Sequence, residues 1–544
     1  MAYTESQISD AISDEQIESQ YEEEDVGRGM GALHHIRSRT RSRGHGDDNV
    51  IGWKYKDADD PYNWPAPKKA AITSLTGLLV INSTVGSSLP SMAVPKMAEL
   101  WNVTSHEQMV LPISVYLIGY VAGPMIWGPL SEHLGRRNLT IITFICFSLF
   151  TMACGFSPSW PALLVFRLFC GLFGSSPIAI VAGILADMYN DARERGRAFS
   201  IFMVTTVFGP LLAPIISGFC SDTIGWRWTF WVAVMLCAVT LVALVAFLPE
   251  TYGPILLHRR AIRMRKEDPS SRVIAPRELE TTNMSHLFTV VLTRPIRMLF
   301  SEAIVSATCA YLALVYAIFY MSFQAFPIIF RDLYGLSTGV TGLCYLPIGG
   351  GAMLSLPIFW TWDHILSQAV AQGKPWTRRE EFRRLPLALL GGPLFVVALF
   401  WLGWSAKADT SFVAPMIAGV PFGLGFMLIF MALLNYLTDA YDFFAASANA
   451  VASMCRSLLA VVLPLATTPM FASLKISGAC SLLGGLSAGM CVIPIIFIWK
   501  GPSIRARSKF CIALTEKREH VARKLEEERL KLEREEAKEK GEEV

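Results

Sequence analysis

Charge is scarce in the middle of this chain. Only 17% of its 544 residues are Asp, Glu, Lys or Arg, against roughly 25% in an ordinary soluble protein. The shortage is also uneven. Residues 1–66 hold 21 of the 93 charged residues and residues 500–544 hold 24, which leaves 48 for the 433 residues between them. A soluble core of that size needs a far more charged surface, so a soluble enzyme is nearly excluded. No nucleophile–base pair or metal cluster stands out in the sequence, so no catalytic activity, metal or organic cofactor is expected. The eleven cysteines include no CxxC spacing, and Cys146 to Cys491 lie singly in apolar runs. That usage suits buried free thiols. No basic stripe interleaved with aromatics is present, so a nucleic-acid partner is not expected. The first sixty residues are polar, run from acidic (Glu22 to Asp25) to basic (Arg37 to Arg43), and do not read as a secretory signal.

What the chain has in quantity is apolar length. A helix crossing a bilayer needs about 20 mostly apolar residues. Suitable runs fall at 70–90, 109–129, 139–157, 162–186, 198–220 and 228–248. Six more follow at 301–322, 339–361, 386–405, 412–436, 444–471 and 478–499. The runs are too long for barrel strands and do not alternate. The expected fold is therefore an all-α membrane protein of twelve transmembrane helices in two six-helix halves. Its divisions are a disordered tail over 1–66, a first half over 67–248, a linker over 249–300, a second half over 301–499 and a charged tail over 500–544.

Basic residues set the expected orientation. Arg136, Arg137, Arg193, Arg195, the cluster from Arg259 to Arg297, and the group from Lys374 to Arg384 all fall in alternate loops. Both termini and the linker are thus expected in the cytoplasm, and the 1–2 loop outside. Asn102, with Thr104 two residues on, is a candidate glycosylation site in that loop. Two six-span halves around a linker suit a transporter that binds a small molecule near mid-membrane.

Three motifs bear on mechanism. Gly128, Glu132, Gly135, Arg136 and Arg137 mark a tight turn between spans 2 and 3, where a carboxylate and two guanidiniums can form a latch or simply a solvated turn. Arg167, with Gly171 and Gly174, lies well inside span 4. An arginine there costs about 2.5–3.5 kcal/mol on insertion scales and needs partners or water. It can serve substrate or proton coupling, or tie helices together through carbonyls. Gly209, Pro210, Pro214 and Gly218 in span 5 allow close helix approach and loosen the local ladder.

The first motif resembles the G-x-L-a-D-r-x-G-r-k signature of the major facilitator superfamily, with Glu132 in place of Asp and His133 in place of a basic residue. The second resembles the span-4 R-x-x-x-G-x-x-G pattern, which implies proton coupling, with Cys170 where many members have Gln. The third is similar to the antiporter motif of the exporters, without its upstream glycine. Trp226 to Trp231, Pro249 to Tyr252, Asn435 to Tyr441 and Arg456 to Pro464 narrow the resemblance. Together they are similar to fungal twelve-span drug:proton antiporters and their polyamine and cycloheximide-resistance relatives, over residues 60–500.

The resemblance implies efflux of small amphipathic organic compounds, drugs or secondary metabolites, by alternating access. The proton gradient would be the driving force, with no bound cofactor. A monomer in contact with membrane lipid is expected, in the plasma or the vacuolar membrane. A nutrient or polyamine transporter, or a transporter-like receptor, is the alternative. Arg456 sits about twelve residues into span 11, and neither it nor Arg167 has an evident mid-span carboxylate. A polycation is therefore disfavoured, and a neutral or weakly acidic metabolite fits better. Asn82, Asn435, Asn449, Tyr320 and Gln324 are the further candidate substrate or coupling residues. A proton would have to use a span-end carboxylate such as Glu302 or Asp187, or the substrate itself.

Overall fold

In lipid every backbone amide must be satisfied within its own segment or barrel, so long apolar runs form helices. The computed structural model describes residues 50–54, 56–269, 273–278, 293–379, 381–441, 445–506, 508, 510–512 and 523. It divides into two units. The larger spans 65–251 and 284–511, and the smaller combines 1–64, 252–283 and 512–544. Helices in the larger unit are α1 (Ala66–Ser88), α2 (His106–Leu134), α3 (Arg136–Gly155), α4 (Trp160–Met188), α5 (Ala192–Thr223) and α6 (Arg227–Phe247). They are followed by α7 (Ala303–Leu333), α8 (Thr338–Ala371), α9 (Glu381–Ser405) and α10 (Val413–Tyr441). The last apolar stretch, Ser447–Arg505, runs on without a loop. At Lys475 the backbone turns to φ 59° and ψ 174°, which splits the stretch into α11 (445–474) and α12 (476–505). A non-glycine residue at positive φ is strained, and here it makes the twelfth helix possible.

Proline and glycine punctuate the bundle where their chemistry requires it. Pro177 lacks the amide that would continue α4, and the helix is interrupted at Ser175. Pro327 opens a wide π-helical turn to Leu333, and Pro464 sits in a 3₁₀ turn in α11. Gly135 adopts φ 94° between α2 and α3, a conformation that glycine reaches at least cost.

The contacts repeat under a shift of six helices. In the first set α1 packs on α5 and α6, α2 on α4, and α3 on α4 and α6. In the second α7 packs on α11 and α12, α8 on α10, and α9 on α10 and α12. The two sets meet where α5 packs on α8 and α2 on α11, a pairing that maps onto itself under the same shift. Outward faces carry exposed apolar side chains, among them Val239, Val242 and Phe247 of α6 and Trp401 and Trp404 of α9. These suit a hydrocarbon surround. The observed helices run past the expected apolar cores, most clearly in α7, α8 and α12. Backbone hydrogen bonding continues into polar turns that a hydropathy reading leaves out.

In the smaller unit, residues 50–54 and 56–64, within the stretch read from sequence as a tail, lie beside the linker segment. Val50 forms a parallel bridge with Ile274, Ile51 N–H donates to the Ile274 carbonyl at 2.9 Å, and Arg260 pairs with Asp57. Arg260 lies on an amphipathic helix, Gly253–Glu267, that buries Ile255, Leu257 and Ala261. Burial opposes ionisation of Asp57, but the Arg260 guanidinium and the Asp59 amide hold its carboxyl below the usual range. The expected tail helix with its Glu527–Lys531 and Glu536–Lys540 pairs lies outside the described residues, as do Ser38, Thr40 and Ser42.

Candidate functional site

Where the two helix sets meet, their inner faces line a small, partly open cavity. The first set contributes Ile178, Phe202, Met203, Thr206, Val207 and Pro210, which makes an apolar wall with one phenyl ring and one hydroxyl. The second contributes Tyr316, Phe319, Phe426, Met427, Phe430 and Arg456, an aromatic wall with one cation. The phenyl rings interlock: Phe426 stacks on Phe430 with centroids 4.5 Å apart, and Phe319 lies 5.1 Å from Phe426. Among the described residues, no carboxylate lines the cavity.

Arg456 is 8% exposed. Its guanidinium carbon lies 5.4 Å from the Tyr316 ring centroid and 5.8 Å from that of Phe430. One terminal nitrogen donates to Ser453 Oγ at 3.2 Å, while Nε is buried without a hydrogen-bond partner. Ring faces offset part of the cost of this charge.

Arg167 has a different environment. It is 1% exposed and does not line the cavity. Nε donates to the Pro112 carbonyl at 2.7 Å, and the two terminal nitrogens donate to Gly86 O at 2.6 Å and Ser87 O at 2.8 Å. Its guanidinium also sits 4.5 Å from the Tyr116 ring centroid. These bonds tie α4 to α1 and α2, the carbonyl-satisfied arrangement that the sequence offers beside a coupling role. Gly171 one turn on explains the closeness: a Cβ there would lie 1.9 Å from the Tyr116 carbonyl.

The other expected site residues are dispersed. Asn82 donates to Thr240 Oγ1 at 2.8 Å and to Leu78 O, tying α1 to α6. Asn435 donates back to Met431 O within α10, and Asn449 donates to Thr438 across α10 and α11. Gln324 is half-buried near the end of α7. None of these four lines the cavity, and the three asparagine amides are turned to their own or a neighbouring helix. Tyr320 stands beside the cavity. Its hydroxyl donates to Ser87 Oγ at 2.9 Å across the two helix sets and accepts from Tyr316 at 3.5 Å.

The turn motif forms a charge cluster at the α2–α3 end of the bundle. Arg136 Nε donates to Asp187 at 3.1 Å, and Glu132 lies 3.8 Å from the same guanidinium. Glu250, just past α6, accepts the Arg136 amide at 2.9 Å and so caps the N-terminus of α3. Arg137 donates to the Val245 carbonyl at 3.0 Å. Gly183 makes room, since a Cβ there would meet the Arg136 guanidinium at 2.7 Å. Gly128 has open space around it. The second set repeats the arrangement with other charges: Arg384 pairs with Asp439 at 2.8 Å, and Glu381 pairs with Arg505. Glu302 accepts from Tyr441 at 2.8 Å in a buried setting.

At the opposite end the span-5 motif meets α8. A Cβ on Gly218 would lie 2.6 Å from the Thr338 carbonyl, so the two backbones touch. Gly209 packs on α1, where a Cβ would meet Thr84 Oγ1 at 1.9 Å. Pro210 lines the cavity, and its carbonyl accepts from Ser88 at 2.8 Å. The Pro214 carbonyl lies 2.7 Å from where Gly342 would carry a Cβ. Asp222 accepts the Gly339 amide at 3.2 Å and lies 3.9 Å from Lys96. Asn102, in the same loop as Lys96, adopts φ 53°.

The sequence did not single out Glu250 as a cap, Asp222 as a cross-set tie, or Met203 and Thr206 as cavity wall. An acid directly after a span end was the available sign for Glu250. Nothing in the linear pattern marks the wall positions.

A twelve-helix bundle of two matching sets around an aromatic cavity defines a secondary transporter. The sequence profile of the Major Facilitator Superfamily matches residues 76–464, and the chain belongs to that family. Among curated relatives, the ascochitine biosynthesis cluster MFS transporter of Didymella fabae is 34% identical, over 85% of this chain and 90% of its own. The citrinin biosynthesis cluster MFS transporter mrr1 of Monascus ruber is 36% identical, over 84% of this chain and 90% of its own. The efflux pump FUB11 of Gibberella moniliformis is 34% identical, over 84% of this chain and 76% of its own. Among solved structures, the proton:xylose symporter XylE matches with a TM-score of 0.59 at 16% identity, over 80% of this chain and 96% of that one. At that identity the likeness shows the fold alone.

Proposed function

We propose that the protein exports small amphipathic organic compounds, secondary metabolites in particular, by alternating access of the central cavity to the two membrane faces. The observation that carries this is the cavity itself, walled equally by both helix sets and lined mostly by apolar groups. A ligand there touches both sets, so rocking one against the other changes its access. Relatives named for metabolite clusters and as efflux pumps support the direction. The proton gradient is the proposed driving force, with Asp187 and Glu302 as candidate carriers. The α2–α3 end is assigned to the cytoplasm by its arginines, in a plasma-membrane protein acting as a monomer.

Mass spectrometry of cells and medium, with and without the gene in its native host, tests the reading. A compound retained inside deletion cells supports export. A compound left behind in the medium overturns it in favour of uptake.

A further inference from the structure

The cavity holds a charge without a counter-charge. Arg456 is more than nine-tenths buried, its Nε has no partner, and no acidic side chain lines the space it faces. Among the described residues its hydrogen-bond partner is Ser453, a neutral hydroxyl. A buried ion is stabilised only when paired and hydrogen-bonded. The rings of Tyr316 and Phe430 sit at cation–π distance but leave the in-plane N–H groups unused. Arg167 shows what this fold does with an arginine that has a structural task, since it gives every nitrogen a carbonyl.

Resting on the export reading, we infer that the substrate is an organic monoanion, with a planar carboxylate or enolate placed against Arg456 and a conjugated ring body against Phe319, Phe426 and Phe430. The planar fork of the guanidinium fits a two-oxygen anion. The interlocked rings offer a flat apolar surface on one side, and Ile178, Met203 and Val207 close the other. A neutral analogue leaves the guanidinium unpaired and gains only the apolar contacts. A cation adds a like charge and is excluded.

The test uses full-length protein in lipid nanodiscs, with 2-naphthoate and its neutral counterpart 2-naphthamide as probes, and intrinsic fluorescence quenching as readout. The wild type is expected to bind the acid about tenfold or more tightly than the amide, equivalent to about 1.4 kcal/mol. Arg456→Gln is expected to bring the acid down to the level of the amide while amide binding holds. Arg456→Lys keeps the charge without the fork and is expected to retain part of the preference. Equal wild-type binding of acid and amide overturns the inference without needing any variant. So does an acid preference that survives Arg456→Gln. Transport in sealed vesicles separates this from the export reading. Pumping of the amide as fast as the acid overturns the anion assignment and leaves export standing. Movement of the acid only in the uptake direction overturns export, with the binding preference still measured.

Discussion

Arg167 and Arg456 are the same residue type, both more than nine-tenths buried among apolar helices, yet the fold treats them in opposite ways. The first is fixed by three backbone carbonyls from α1 and α2. The second has a neutral hydroxyl, two ring faces and an orphan Nε. Burial of a charge therefore does not by itself mark a binding group. What sets Arg456 apart is a buried Nε left without a hydrogen-bond partner, on a residue that lines the space between the helix sets, and the anion proposal rests on that difference.

The largest expected effect breaks that comparison on its structural side. Arg167→Gln strands several buried carbonyls and should cost about 3 kcal/mol or more, since hydrogen bonds to charged groups contribute about 1.5–3 kcal/mol each. Thermal unfolding of purified protein followed by fluorescence-detected size exclusion would show it as a much lower midpoint or as loss of the monodisperse peak. An unchanged midpoint with lost transport would return Arg167 to the coupling role expected from its motif. Next in size is Gly218→Leu, which places a side chain where α5 and α8 touch. Overpacking there should cost about 1–3 kcal/mol and fall on the contact between the two helix sets, so transport should drop while protein yield holds. Cysteine cross-linking across that seam measures the separation directly.

Arg456→Gln sharpens the comparison from the other side. It removes a buried charge with no counter-ion, so the unfolding midpoint should stay within about 1 kcal/mol of wild type or rise. A loss as large as that of Arg167→Gln would make the two arginines alike. Smallest is the pair in the lesser unit. The Asp57 carboxyl titrates below 3.8, so the stability it lends is fully present above that value and is lost as pH falls through its lower folded value. Partly exposed pairs of this kind contribute about 0.5 kcal/mol. Hydrogen exchange of residues 50–57 between pH 5 and pH 2.5 should show protection fading only at the acid end, and Asp57→Asn should remove that step.

The contrast also explains what the sequence made legible. Twelve spans, their order and the two-set plan follow from apolar length, because a bilayer admits few backbone solutions. The depth of Arg456 and Arg167 was legible, but not the difference in their surroundings, since the partners of Arg167 are carbonyls of Gly86, Ser87 and Pro112, which every residue possesses and no side chain announces. Part of the cavity wall was hidden for a related reason: Phe426 and Phe430 look like any other aromatics in a span until helices α7 and α10 bring them into register with Phe319. The ties of Ile51 to Ile274 and of Asp57 to Arg260 were not legible, because composition averages over the tail and their partners lie far along the chain.

That last tie bears on how the protein is made. Asp57 and Arg260 are 203 residues apart, and six transmembrane helices must be synthesised between them. During biosynthesis the N-terminal segment leaves the ribosome long before its partner helix exists, so it must wait, unpaired, until the first helix set is complete. Closure of this strap is thus a natural timestamp. Its appearance in arrested nascent chains of increasing length would report when the first half of the transporter has finished threading into the membrane.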